Sequence, residues 1–241
     1  DLAKREALSI AQIKKVFAEN KDDICAIIIE PIQSEGGDNH LRKEFFEKLR
    51  IIADEEEALL IYDEVQTGVG LSGKFWCHEH FGENARPDIL AFGKKMQVCG
   101  ILASKRVDEI EQNVFTTPSR INSTWGGNLV DMVRASKILE IIEEDKLLGK
   151  AASTGEYLHS RLLSIAEKYS IVGNVRAKGL IAAFDFPDKN TRDLFIKKGL
   201  EKNVMFLGCG NQSIRFRPAL IMEKADLDLG LNVLEDVVKT L

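Results

Sequence analysis

Two short apolar runs that end in acidic residues restrict the possible fold of this 241-residue chain more than any other feature. Ile24–Glu30 and Leu59–Asp63 are almost continuously apolar before their acidic ends, which is typical of strands buried in a parallel sheet. Between them, His40–Glu57 has apolar residues along one stripe and charges opposite, which predicts an amphipathic helix. This strand–helix–strand order predicts an α/β sheet covered by helices.

The pattern along the rest of the chain predicts two domains. Ile89–Phe92 and Ile101–Ser104 are further strand candidates, and Asn128–Glu144 is predicted to be a connecting helix. We therefore predict a large α/β domain over residues 1–144 and a smaller α+β domain over residues 145–241. The elements predicted for the smaller domain are helices Leu147–Tyr169, Asn190–Lys202 and Lys224–Thr240, and strands Ile171–Val175, Leu180–Phe186, Val204–Leu207 and Ser213–Phe216.

Composition excludes several classes of partner. A net charge of −5 offers no cationic field for nucleic acid or anionic lipid, so neither a nucleic acid nor a membrane is predicted as a partner. The apolar runs are too short to cross a bilayer, and no signal peptide is recognisable. The four cysteines include no C-x-x-C spacing, so we expect free thiols and a cytoplasmic location.

Polar side chains follow three of the predicted strands. Glu30 and Asp63 end two of them, Gln66 lies three residues after Asp63, and Lys94 comes shortly after the third strand. Ligands of open α/β sheets bind beyond the carboxyl ends of the strands. Acids, an amide and a lysine at that edge suit a ligand with a cationic ring nitrogen and a carbonyl that a lysine can capture as an imine. The simpler alternative is that the acids cap helices and the lysine is solvated.

Two other motifs compete with this interpretation. Gly68–Gly73 spells G-x-G-x-x-G after a strand, but a dinucleotide site needs a helix to open at once, and no helical period follows. A flexible glycine loop is the expected alternative. Cys77–His80 (C-H-E-H) contains possible metal ligands without a second cluster, so we expect an exposed loop and predict no metal site.

Four motifs together resemble the class III (ω-) aminotransferases, which depend on pyridoxal phosphate. They are E-P-I-Q-S-E-G-G (Glu30–Gly37), D-E-V-Q-T-G (Asp63–Gly68), P-D-I-L-A-F-G-K-K (Pro87–Lys95) and R-F-R-P (Arg215–Pro218), in family order. The resemblance implies part of a fold-type-I large domain with a mostly parallel sheet, followed by a smaller C-terminal α+β domain.

Further segments resemble particular members of the family. Gly93–Gly100 and Thr117–Asn128 are similar to enzymes that transfer the ε-amino group of L-lysine to 2-oxoglutarate, giving glutamate and 2-aminoadipate 6-semialdehyde. Gly73–His80 is also similar to enzymes acting on 4-aminobutyrate, which are the alternative, as are enzymes for other ω-amino acids.

The resemblance also assigns residues to the cofactor. Lys94 would bind pyridoxal phosphate covalently and then serve as the general base, while Lys95 would point away because successive strand residues alternate faces. Asp63 would pair with the pyridine nitrogen, and Gln66 would hydrogen-bond the phenolic oxygen. The alternatives are a helix or turn cap for Asp63, a solvent-facing loop amide for Gln66 and a surface lysine for Lys94.

Other residues are assigned by resemblance to a shared dimer site and to the substrates. Ser123 and Thr124 would reach the cofactor phosphate from the other subunit of a homodimer, and Asn122 would contact substrate. Glu35 would shield an arginine while an ω-amino substrate binds and would then move aside for the carboxylate of 2-oxoglutarate. Arg215 is predicted to be that arginine, although Arg217 lies on the same strand face and stays open as a choice.

The resemblance covers a chain only about half as long as family members. The missing first half would hold a cofactor-phosphate loop, an aromatic residue on the ring and a further arginine. We therefore expect either a piece of a longer enzyme that is inactive alone, or a natural truncation whose first half another chain supplies. An inactive transaminase-like module is the non-enzymatic alternative.

Overall fold

The fold is taken from a computed structural model that describes residues 1–121, 124 and 126–241. The helices are α1 (Leu2–Glu19), α2 (Lys43–Glu55), α3 (Leu129–Glu144), α4 (Leu147–Lys168), α5 (Lys189–Glu201) and α6 (Lys224–Val238). The strands are β1 (Ala26–Ile29), β2 (Ile32–Gln33), β3 (Asn39–His40), β4 (Leu59–Asp63), β5 (Ile89–Phe92), β6 (Gly100–Ala103), β7 (Gly173–Lys178), β8 (Ile181–Asp185), β9 (Leu207–Cys209) and β10 (Ser213–Phe216).

Two compact units make up the chain, and both are assembled from separate segments. The first contains residues 1–31, 41–68 and 78–139. The second contains residues 32–40, 69–77 and 140–241. The single domain boundary predicted after residue 144 does not describe these units, because the second unit also contains residues 32–40 and 69–77. They belong there because Ile32 and Leu71 are buried in one apolar cluster with Leu180 and Ile181.

The first unit is built on a sheet in the order β1–β4–β5–β6. Strands β1, β4 and β5 are parallel, and β6 runs antiparallel to β5 at the edge. Helix α2 connects β1 to β4 and buries Phe46 and Leu49 completely. Phe46 stacks on Phe81 with ring centroids 4.0 Å apart and contacts Tyr62 edge-on. Burial of each such side chain contributes about 1.5–3 kcal/mol, which fixes the helix on the sheet.

The second unit contains an antiparallel sheet in the order β7–β8–β10–β9 and the small hairpin β2–β3. Helices α4, α5 and α6 supply apolar side chains to one core cluster with this sheet. Leu158, Phe184, Phe195 and Ile214 are completely buried in it. This core holds β10 in place, and β10 carries Arg215.

The predicted α/β and α+β arrangements of helices and strands are both present, but the bounds of some strands differ from the predicted ones. Strand β9 was expected at Val204–Leu207 but lies at Leu207–Cys209, and β7 begins two residues later than expected. Such short segments lack a periodic signal, and their bounds depend on partner strands. Among the described residues no helix combines the length and apolar character needed to cross a membrane.

Candidate active site

Asp63 and Lys94 follow neighbouring strands at the same edge of the first unit's sheet. Asp63 is the last residue of β4 and is aligned with Ala91 of β5. Lys94 lies two residues after Phe92, the end of β5. Parallel neighbours are about 4.8 Å apart, so their carboxyl ends bring these residues to one edge.

The turn after β4 fixes the backbone around Asp63 and Gln66. Oδ1 of Asp63 accepts a hydrogen bond from the amide of Val65 at 3.0 Å. The carbonyl of Gln66 accepts one from Nζ of Lys95 at 2.7 Å. Within the described part of the chain, Oδ2 of Asp63 has no hydrogen-bond partner. One carboxylate oxygen therefore holds the turn, and the other can accept a ligand proton.

Lys94 lies outside the strand, at the start of a one-turn 3₁₀ helix, Lys94–Met96. Its φ of +47° is in the left-handed region, and its side chain is exposed. Its Nζ makes no hydrogen bond or ion pair with any described residue. The strand alternation used to predict the orientation of Lys95 does not apply here, because a 3₁₀ turn replaces the strand. Lys95 instead supports the Gln66 carbonyl.

Glu64 is a buried carboxylate directly beside Asp63. Its Oε1 accepts a hydrogen bond from the amide of His78 at 2.8 Å and lies 2.9 Å from Nδ1 of the same residue. Its Oε2 accepts a hydrogen bond from Oγ1 of Thr67 at 2.9 Å. Glu64 has no role assigned from the sequence, although its position in D-E-V-Q-T-G could have indicated one. It stabilises the turn that presents Asp63 and Gln66.

The two competing motifs have structural roles. Residues 64–73 form successive turns with no helix, so the dinucleotide interpretation of Gly68–Gly73 is wrong. Most of that loop is buried, contrary to the expectation of a flexible loop. Cys77–His80 is a 3₁₀ helix with Cys77 buried, and so it is not an exposed loop. No group of three or more His, Cys, Asp or Glu among the described residues is arranged to hold a metal ion.

In the second unit, Glu35 and Arg215 form an ion pair. Nη2 of Arg215 lies 2.7 Å from Oε2 of Glu35. The Glu35 side chain is 72% exposed, whereas that of Arg215 is 15% exposed. Nε and Nη1 of Arg215 are buried and have no hydrogen-bond partner among the residues the structure describes. A guanidinium with unused donors suits a carboxylate ligand, which it can bind with two hydrogen bonds.

Arg217 has a different partner, which separates it from Arg215. Its Nη2 pairs with Oδ2 of the buried Asp38. Burial lowers the pKa of the Arg217 guanidinium below its ordinary value, and the Asp38 charge opposes that shift. Of the two arginines, Arg215 is the one that contacts Glu35.

Three predicted site residues fall in or beside a region with gaps. Asn122 and Ser123 lie outside the described residues. Thr124 lies in an exposed turn. Their assignments to substrate and cofactor phosphate remain predictions.

Comparison with known proteins identifies the family. The family model described as Aminotransferase class-III matches residues 2–238. The chain belongs to the class-III aminotransferase family. This family uses pyridoxal phosphate, and its members act on amino acids and keto acids.

Curated relatives in the family are named for two different ω-amino substrates. The chain is 46% identical to L-lysine-epsilon aminotransferase of Mycobacterium tuberculosis over 231 residues, covering 95% of this chain and 51% of that protein. It is 39% identical to the mitochondrial 4-aminobutyrate aminotransferase of Sus scrofa over 223 residues, covering 92% of this chain and 43% of that protein. The chain therefore spans about half the length of the curated relatives it matches.

Solved structures of the family share the fold. The structure of lysine aminotransferase from M. tuberculosis in the internal aldimine form has a TM-score of 0.95 and 44% identity, over 99% of this chain and 55% of that one. Plasmodium falciparum ornithine delta-aminotransferase has a TM-score of 0.80 and 27% identity, over 100% of this chain and 59% of that one. The fold is thus that of the fold-type-I transaminases, as the sequence predicted.

Proposed function

We propose that the protein carrying this chain is a transaminase that moves the ε-amino group of L-lysine to 2-oxoglutarate, giving glutamate and 2-aminoadipate 6-semialdehyde. The observation that carries the proposal is the pair of residues at one sheet edge, with Asp63 ending β4 and Lys94 following β5. The similarity to L-lysine-epsilon aminotransferases supports the choice of substrate.

The side chains at this edge fit pyridoxal phosphate. Lys94 supplies an exposed amine for the aldehyde, Asp63 supplies a carboxylate oxygen for the ring nitrogen, and Gln66 supplies an amide for the phenolic oxygen. When bound, the cofactor supplies an electron sink for the electrons left by proton removal. Asp63 would hold the proton on the ring nitrogen, because an anion beside that nitrogen stabilises its protonated form.

The proton transfers and substrate exchange are assigned to this chain's own side chains. Nζ of Lys94 would move a proton between the ε-carbon of lysine and the carbon of the cofactor. Nε and Nη1 of Arg215 would donate to the carboxylate of 2-oxoglutarate, since both lack described partners. Glu35 would cover Arg215 while the amine donor is bound, and its exposure leaves it room to rotate away.

The proposal also includes a homodimer and a cytoplasmic location for the protein. A homodimer would bring Ser123 and Thr124 of one subunit to the cofactor phosphate of the other, because hydroxyls and amides are suitable donors to phosphate oxygens. Asn122 would contact substrate in that arrangement. Cytoplasmic location stays a prediction from the sequence.

A second candidate is transamination of 4-aminobutyrate. The 39% identity to the mitochondrial enzyme of Sus scrofa favours it. Lysine and 4-aminobutyrate both present a terminal amine, but lysine adds an α-amino group. A panel of lysine, ornithine and 4-aminobutyrate, each with 2-oxoglutarate, discriminates between them: lysine is expected to react fastest, and fastest turnover of 4-aminobutyrate would overturn the substrate assignment.

The covalent role of Lys94 has its own test, on the full-length protein that carries this chain. Lys94→Ala is expected to abolish the borohydride-reducible attachment of pyridoxal phosphate, while the matched variant Lys95→Ala keeps it. Attachment that survives in Lys94→Ala would refute the lysine assignment. Absence of any cofactor binding in the wild-type protein would support the inactive-module alternative.

A further inference from the structure

The loop that carries Glu35 is held through its main chain, whereas the Glu35 carboxylate is exposed. The amide of Asp38 donates to the carbonyl of Ser34 at 3.0 Å, which closes the turn. The carbonyl of Glu35 itself accepts a hydrogen bond from the amide of Gly210 at 2.9 Å. The side chain of Glu35 is nevertheless 72% exposed. Restraint of the main chain therefore coexists with freedom of the side chain.

One arginine binds two consecutive carbonyls of this loop. Nη2 of Arg176 donates to the carbonyl of Gly37 at 2.6 Å, and its Nε donates to the carbonyl of Asp38 at 2.6 Å. Nη1 of Arg176 forms an ion pair with Asp185 at 2.9 Å, which fixes the guanidinium on the sheet of the second unit. The planar fork of an arginine suits this task better than a single ammonium group.

Asp38 holds the loop from the other side through its carboxylate. It is completely buried, with φ of +53°. Its Oδ1 lies 3.0 Å from Nε2 of His40, and its Oδ2 pairs with Arg217. A buried carboxylate is costly unless it is paired in this way. Loss of the Asp38 charge would leave the mostly buried Arg217 without its counter-charge, so we expect the loop to become looser.

A close approach of two main chains completes the arrangement. A Cβ added at Gly210 would lie 2.7 Å from Cα of Gly37, and Gly210 has φ of +51°. No L side chain fits there without displacing the loop. The turn between β9 and β10 is thereby packed directly against the loop that carries Glu35.

From these contacts we infer that Asp38, Arg176 and Arg217 are positioning residues for the Glu35–Arg215 pair. They fix the main chain so that the exchange between an amine donor and a dicarboxylate acceptor is a rotation of the Glu35 side chain and not a loop movement. Arg217 acts through Asp38 and leaves the substrate carboxylate to Arg215. The inference rests on the transaminase function proposed above.

Hydrogen exchange tests the restraint without requiring activity. In the full-length protein, Asp38→Asn and Arg176→Lys are expected to accelerate amide exchange in the peptide covering residues 32–42 by at least about tenfold, because open states of the loop become more populated. Asn tolerates the left-handed backbone of Asp38, so the variant removes the charge and one acceptor oxygen without straining the main chain. Asp228→Asn, which removes a carboxylate paired with Arg161 elsewhere in the second unit, is the matched control and leaves this peptide unchanged.

Half-reaction kinetics test the positioning role. Asp38→Asn is expected to lower kcat/KM for the amine donor about tenfold, while the 2-oxoglutarate half-reaction changes less than threefold. The reason is that Glu35, on a main chain that is no longer fixed, would not cover Arg215. Glu35→Gln produces the same selective loss. Asp38→Asn combined with Glu35→Gln is expected to be no worse than Glu35→Gln alone, since both act through one ion pair.

Three results would overturn the inference. Unchanged exchange of residues 32–42 in both Asp38→Asn and Arg176→Lys would show that these side chains do not hold the loop. If the losses of kcat/KM in Asp38→Asn and Glu35→Gln multiplied in the double variant, the role of Asp38 would be a general structural one. Equal slowing of both half-reactions in Asp38→Asn would show the same. If no ω-amine reacts with the wild-type protein, the proposed function fails, while the exchange measurement still decides whether the restraint exists.

Discussion

The lysine of the first unit and the arginine of the second are held in opposite ways. Lys94 is exposed, and its Nζ makes no hydrogen bond or ion pair with a described residue, although its backbone lies in a left-handed turn. Arg215 is mostly buried and already paired with Glu35. An amine that is to form a covalent bond cannot be committed to an ion pair, whereas a carboxylate-binding cation benefits from being held in place beforehand. Under the proposed function, ion pairing is absent at the residue that would form a bond and present at the residue that would recognise an ion.

Asp63→Asn examines the reactive side of this comparison and is expected to have the largest effect. An amide cannot hold a proton on the ring nitrogen, so kcat should fall about 10³-fold, the size of other losses of a preorganised charge interaction. Steady-state transamination by the full-length protein measures this. Asp22→Asn, at an exposed turn, is the control and should retain activity. A loss below tenfold in Asp63→Asn would contradict the assignment.

Asp88→Asn separates structural charge pairing from pairing at the site. The buried Oδ2 of Asp88 accepts hydrogen bonds from Arg50 at 2.8 Å and Arg106 at 3.2 Å, before β5 begins. Loss of that charge should lower the free energy of unfolding by about 3 kcal/mol, because Arg50 and Arg106 are then left with only the exposed Asp54 as a counter-charge. Urea unfolding measures this change. The control is Glu83→Gln, which removes one partner of an exposed ion pair with Arg86 and is expected to change the free energy of unfolding by less than about 0.5 kcal/mol. Equal effects of the two variants would argue against the distinction.

Arg215→Met examines the recognition side. Removal of a charged two-point contact should raise KM for 2-oxoglutarate about 30-fold, equivalent to roughly 2 kcal/mol, while the amine half-reaction changes little. The exposed Arg86→Met is the matched control. If Arg217→Met instead produced the selective rise in KM and Arg215→Met did not, the assignment of the two arginines would be reversed.

Cys209 provides the smallest expected effect and probes the environment beside the arginines. Burial raises the pKa of its thiol, Asp38 adds to the rise, and the neighbouring arginines oppose it. A raised pKa means less thiolate at a given pH, so alkylation of native Cys209 should be at least about tenfold slower than in urea, with its rate midpoint at higher pH. Mass spectrometry of iodoacetamide labelling checks this, with the exposed Cys99 as the internal control. Equal labelling of Cys99 and native Cys209 at pH 8 would contradict the burial.

Strong local patterns were sufficient for much of the fold. The apolar runs before Asp63 and the stripe on α2 predicted a parallel sheet with a covering helix, because burial on both faces or on one stripe leaves a direct periodic signal. The motif order placed Lys94 and Asp63 at one edge for the same reason, since residues after parallel strands share that edge. The two short segments that join the second unit gave no comparable signal, because their burial depends on partners distant in sequence.

The amino-acid sequence by itself determined the family, the sheet and the identity of the side chains offered at its edge. Only the tertiary structure distinguished Arg215 from Arg217, which have the same strand parity and the same side-chain chemistry, because it pairs Arg215 with Glu35 and Arg217 with Asp38. It also gave Lys95, Glu64, Asp38 and Arg176 their supporting contacts. The physical reason is that an ion pair depends on where another segment places its counter-charge, and no property of the arginine's own segment records that position.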